Sequence, residues 1–237
     1  GDRSVKRLTI RESLAHLVAK RPFLRMGYAF LRNSFANAIP ASLFIYFVTA
    51  RLAAPGYEGP LLFVYFLSAI LGVPLAVAAS ARFGKHRAWS VSMALACLVF
   101  STAGFLGEGD IGIFAVICVI TGLLLGFDVA LPPAIQADVI DHDTVCSGEQ
   151  RSGLYFAAWS FITKLSLALS AGIVFPILGL AGFSTTAGEA QSAVALGTLG
   201  VLYAWLPILP KLAAIALMWR FSLDRTEQEK LQRRLAE

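Results

Sequence analysis

The stretch SGLYFAAWSFITKLSLALSAGIVFPILGL, residues 152–180, decides the fold. It is an apolar run containing one charge, Lys164, and no other charge lies between Arg151 and Glu189. A hydrocarbon core about 30 Å thick takes about 20 helical residues to cross, and this run exceeds that. A cation at bilayer depth costs about 2.5–3.5 kcal/mol on insertion scales. Side-chain packing alone does not offset such a cost. The run therefore reads as a membrane-spanning helix whose lysine faces a polar pathway.

The rest of the chain repeats the pattern. Of its 237 residues, 57% are hydrophobic and only 15% charged, and the mean hydropathy is +0.69. A soluble domain runs nearer 45–50% apolar and about 25% charged. The excess falls in six blocks, which predict spanning helices over Phe23–Ala50, Pro60–Ala81, Ala88–Phe105, Ile111–Ala137, Ser152–Gly179 and Ala193–Phe221. The sixth should kink at Pro207 and Pro210, whose ring nitrogens donate nothing to the helix ladder. The fold class is all-α: a polytopic membrane protein built as one bundle of six transmembrane helices.

Charge orders the connecting segments. Basic residues gather before the first helix, between the second and third (Arg82, Lys85, Arg87) and after the sixth, whereas the alternate loops hold Arg51 with Glu58, Glu108 with Asp110, and Glu189. By the positive-inside rule both termini are cytoplasmic, in a plasma or bacterial inner membrane. The fourth connection is acidic (Asp138, Asp141, Asp143, Glu149), but acids weigh little in orientation. The net charge of +5 follows from these loops and calls for no nucleic-acid partner. The partner is the bilayer. Three scattered cysteines and three scattered histidines carry no disulfide framework and no metal spacing. No HExxH and no nucleophile elbow are present, so neither an enzyme nor a metal centre is expected. Residues 1–22 read as a cytoplasmic amphipathic segment, 23–221 as the bundle and 222–237 as a charged cytoplasmic tail.

Several polar residues interrupt the spans. The first helix carries Arg25, Arg32, Asn33, Ser34 and Asn37, with the two asparagines four apart on one face. They line a cavity or bond between helices. Asp128 interrupts the fourth helix, about nine residues from its expected end and thus about 13 Å deep, and Arg32 lies at similar depth. Intramembrane charges usually pair, so an Arg32–Asp128 contact is expected. Gly122 and Gly126 fit the small-xxx-small pattern of close helix approach, and Pro132–Pro133 should distort the helix beyond Asp128. Around Lys164, Ser160 shares its face, Thr163 adjoins it, and Trp159 offers a flat ring for a sugar or a cation.

The segment ARFGKHRAW, residues 81–89, sets a glycine among cations between two membrane helices. It resembles the cytoplasmic loop motif of the major facilitator superfamily. With RPFLRMGYAFLRNSFANAIPASLFIYFV, IQADVIDHDTVCSGEQRSGLYFAAWSFITKLSLAL and FSLDRTEQEKLQRRLAE, it makes the whole chain resemble the C-terminal half of a glycoside–pentoside–hexuronide:cation symporter, the melibiose permease relatives. The resemblance implies that Lys164 stands near a cation site, with Arg32, Asn33, Asn37, Asp128, Trp159, Ser160 and Thr163 along the solute and ion pathway. It implies a gating role for Arg82, Gly84, Lys85 and Arg87. The implied function is alternating-access symport of a small polar solute, a sugar, with Na+ or H+ as coupling ion and no other cofactor. Lipid carriers of the same superfamily and a non-transporting remnant are the alternatives. Family members have twelve helices, so a chain starting at Gly1 with six is expected to be a fragment or to pair with a missing N-terminal six-helix half.

Overall fold

Apolar runs in lipid must satisfy every backbone donor and acceptor internally, and helices are the open-chain solution. The computed structural model describes residues 21–147, 152–186 and 189–219, and these contain helices and turns but no strand. Helix α1 spans Arg21–Tyr46 and continues as a π turn over Phe47–Arg51. Next come α2 (Glu58–Phe83), α3 (Lys85–Ser101, extended by a 3₁₀ turn to Phe105), α4 (Ile111–Ser147) and α5 (Ser152–Leu180). The last span has two parts, α6 (Ala193–Gly200) and α7 (Ile208–Met218), joined through a π turn over Val201–Trp205. The expected terminal amphipathic segment and charged tail lie outside the described residues.

Five of these stretches are long and apolar enough to cross a membrane: α2, α3 with its 3₁₀ turn, α4, α5, and Ala193–Met218. Helix α1 matches them in length at 26 residues but carries Arg25, Arg32, Asn33 and Asn37, and it completes the bundle by packing on α5 and α7. Two local expectations change. Helix α4 does not end near Ala137; it runs through Pro132–Pro133 to Ser147, so Asp138 and Asp141 are helical. The prolines remove only the donors that would serve the carbonyls of Asp128 and Val129, and the helix continues past them. Asp128 therefore sits at mid-helix, deeper than expected. In the last span the break precedes Pro207: Leu206 N–H reaches back to the Val201 carbonyl at 3.0 Å. Pro210 falls in the first turn of α7, where a missing N–H is harmless.

Small residues position the helices. α2 and α4 run parallel and pack most extensively of all pairs. Gly72 lies directly against the backbone carbonyl of Leu123, Gly126 against the backbone of Gly72, and a Cβ on Gly122 would come within 2.8 Å of the Ser68 Cβ. The small-xxx-small stripe of α4 is thus a backbone-to-backbone seam. At one end of the bundle Gly84 alone links α2 to α3, with φ 87° and ψ 148°, a conformation that side chains with a Cβ rarely adopt. Lys85 then pairs with Asp138 at 2.7 Å and reaches the Ala134 carbonyl at 3.3 Å, clasping α3 to α4. Arg82 lies over the Phe83 ring, and Arg87 is exposed. At the other end Arg51 donates to the Leu106 carbonyl at 2.9 Å, tying the exit of α1 to that of α3.

The seam makes a direct prediction. Gly72→Ala should lower stability by about 1–3 kcal/mol, the usual cost of overpacking. Gly112→Ala, at a helical glycine with nothing within 4 Å, should be neutral or stabilise by up to about 1 kcal/mol. Thermal unfolding of the two variants in detergent compares them; equal midpoints would contradict the seam.

Candidate functional site

Four helices converge on Asp128. From α3, the Trp89 indole N–H donates to its Oδ1 at 2.6 Å. From α1, the Asn37 amide donates to its Oδ2 at 2.8 Å. From α7, the Lys211 ammonium lies 3.5 Å from the same oxygen and donates to Asn37 Oδ1 at 2.6 Å. Trp89 is fully buried, and the Lys211 and Asp128 side chains are 9% and 11% exposed. Each neighbour satisfies another: the carboxylate is balanced by an ammonium and held by two neutral donors, while the asparagine accepts on one atom and donates from the other.

The expected Arg32–Asp128 pair is therefore not formed. Arg32 stays on its own helix, its guanidinium 5.7 Å from the Tyr28 ring centroid and 3.5 Å from the Tyr28 carbonyl. The reason is rotational: Asn37 faces α4 and α7, and Arg32 faces elsewhere on α1. Asn33 is buried, with its Oδ1 unpartnered among the described residues. The sequence reading missed Lys211 altogether. Its signal was the one used for Lys164, a lone charge in an apolar run, here 190–219. The flanking Pro207 and Pro210 drew the reading toward a kink instead.

The Lys164 face is a separate feature. Ser160, Thr163 and Lys164 are all exposed, and Lys164 has no hydrogen-bond or ion-pair partner among the described residues. The Thr163 hydroxyl donates to its own helix at Trp159 O, 3.1 Å away. Trp159 is half-buried and stacked on Phe30, with ring centroids 3.4 Å apart, so one face of its ring is already covered. α5 runs parallel to α1, with Ser166 reaching the Leu31 carbonyl at 3.4 Å and Ile162 touching Gly27. Lys164 thus stands at about the level of Phe30, on the side of the bundle left open.

Between α1 on one side and α2 with α4 on the other lies a cavity of about 370 Å³. Asp128, Lys211 and Asn37 form its polar floor, and Phe44, Phe100, Phe114 and Tyr203 line its walls. The Phe47 and Tyr203 rings stack at 4.0 Å, joining the two π turns above it. Among the described residues no group of three or more potential metal ligands occurs.

Removing one partner of a buried ion pair strands the other, at a cost of about 3–5 kcal/mol. Lys211→Met and Asp128→Asn should each destabilise the bundle by that order. The double variant should recover most of the loss, as measured by thermal unfolding in detergent. Additive losses would mean that the two charges do not sense each other.

The MFS/sugar transport protein family matches residues 2–225. An uncharacterized 29.9 kDa protein in the crtE 3' region of Pseudescherichia vulneris is 30% identical over 186 residues, 78% of this chain and 68% of its own. The isoprimeverose transporter of Lactiplantibacillus pentosus is 29% identical over 70% of this chain and 34% of its own length. Sodium-dependent lysophosphatidylcholine symporter 1 of Gallus gallus is 25% identical over 90% of this chain and 40% of its own. The chain thus spans half or less of the two transporters' lengths. A helical bundle with five stretches apolar enough to cross a membrane, matched by this family along nearly all its length, belongs to the MFS/sugar transport protein family.

Proposed function

We propose that this chain forms one six-helix bundle of a symporter that carries a small polar solute, a sugar or glycoside, with Na+ or H+. The observation that carries the reading is Lys164: an exposed ammonium near mid-span, unpartnered among the described residues. Lipid is a poor environment for it, at about 2.5–3.5 kcal/mol on insertion scales. The face bearing Ser160, Thr163 and Lys164 therefore turns toward a hydrated pathway shared with a second bundle, and the two rock about a midplane site. A fixed ammonium there repels or replaces a mobile cation and donates hydrogen bonds to solute oxygens through its three N–H groups. The Gly84 hinge and the Lys85–Asp138 clasp sit at the end expected to be cytoplasmic, where they stabilise one arrangement of the helix ends. The sugar assignment draws support from the family description and from the isoprimeverose transporter among the relatives.

The test is uptake of radiolabelled glycosides in cells lacking their own carriers, under an imposed Na+ or H+ gradient. Uptake should follow one of the two gradients. Lys164→Ala should abolish accumulation or break its ion dependence, and Lys164→Arg should keep part of it. Wild-type accumulation and ion dependence in Lys164→Ala would overturn the role of this face.

A further inference from the structure

The interior cavity is chemically unlike the Lys164 face. Its walls are mainly aromatic and aliphatic: Ser92 and Thr121 turn their hydroxyls onto their own helices, donating to Trp89 O at 2.8 Å and Ile117 O at 2.7 Å, and Tyr65 and Tyr203 add two phenol groups. Charge is confined to the floor, where it is already paired. Lys211 uses two of its three N–H donors, on Asn37 and Asp128. Asp128 accepts from Trp89, Asn37 and Lys211, which leaves about one of its four lone-pair sites. Asn37 keeps one further amide proton. The unused capacity is one acceptor beside one or two donors. That set is complementary to a hydroxyl group, which donates once and accepts up to twice.

Charge narrows the occupant further. The floor carries one positive and one negative group, so its formal charge is zero. A charged ligand would bring an uncompensated charge into a desolvated site, which is strongly disfavoured. A sugar ring, with hydroxyls on every side, would leave most of them facing Phe44, Phe100 and Phe114, and unsatisfied buried hydroxyls cost about 1–3 kcal/mol each. At about 370 Å³ the cavity is at the small end of the ~300–1,000 Å³ range of small-molecule sites. Its mouth opens between α1 and α2, where Ile45 and Phe66 are each more than half exposed.

We propose that this cavity is a binding site for a neutral, largely apolar molecule with a single hydroxyl at one end, an aliphatic or aromatic alcohol, whose hydroxyl docks between Asp128 and Lys211. The site is separate from the Lys164 face and does not depend on the transport reading.

The experiment is photolabelling of the purified full protein with a diazirine-bearing octanol, with peptide mapping by mass spectrometry. Adducts should appear on cavity residues, Cys97 and Cys118 among them, and should be displaced by excess octanol. Ala96→Phe, which fills the cavity without touching its floor, should reduce this labelling on the order of tenfold. Two further probes test the chemistry in the unaltered protein, so the result does not rest on that variant folding. A diazirine-bearing octanoate, charged, and a diazirine-bearing octane, lacking the hydroxyl, should both label the cavity weakly. Labelling confined to outward-facing residues, or not displaced by octanol, would remove the site. Equal labelling by the alkane would remove the role of the floor, and stronger labelling by the carboxylate would refute its selection for neutral ligands.

Discussion

The desolvated pair of Asp128 and Lys211 is the constraint on which the bundle's arrangement depends. Either charge alone in a membrane interior would be expensive, and the pair is tolerable only with its remaining hydrogen bonds made. Trp89 and Asn37 make them. The cluster therefore fixes the rotation of α1, α3, α4 and α7 together. Turning α1 so that Arg32 met Asp128 would take Asn37 from Lys211 and from the carboxylate at once. Hydrophobic packing in lipid supplies no comparable orienting force, because lipid tails are as apolar as the helices they surround.

The glycine seam and the cluster act on different parts of the bundle. Along α2 and α4, Gly72, Gly122 and Gly126 bring backbones into contact and bind the two helices as a unit. On the other side α1 packs on α5 and α7. The cluster bridges these groups from below, and the gap left between them is the cavity. The two π turns meet above it through the Phe47–Tyr203 stack. A π turn is a local departure from the regular ladder, so the helices here are least regular where the cavity is capped.

Much of this was legible in the residues alone. Apolar blocks of spanning length marked the helices, since lipid leaves the backbone few options. The Gly122–Gly126 spacing announced a close approach, and Gly84 among cations announced a tight turn. Other features were not legible, for physical reasons. Whether a proline pair ends a helix depends on whether the freed carbonyls can be tolerated, and at Pro132–Pro133 they are; misjudging that placed Asp128 too near a helix end. Which cation meets Asp128 depends on helix rotation, which depth along the chain does not contain. Lys211 stands as a lone charge in an apolar run and was passed over beside Pro207 and Pro210, where only a kink was expected. Trp89 stood in the loop motif, yet its reach to a carboxylate 39 positions away exists only in three dimensions.

Lys164 and Lys211 illustrate why a charge in an apolar helix has no single meaning. Both interrupt long uncharged runs, and both meet the same insertion cost. Lys211 meets it internally: a carboxylate and an amide from two other helices bind it, and its charge organises the bundle. Lys164 finds no such partner among the described residues, and the hydroxyl beside it, Thr163, is turned back onto its own helix. A bundle that neutralises one lysine so thoroughly has the means to bury another, so the exposed ammonium is better explained by what it faces than by a failure of packing. That asymmetry separates the lysine that organises the bundle from the one we propose to face the pathway. It follows from partners rather than from sequence position: the meaning of an intramembrane charge is set by the groups the fold brings to it.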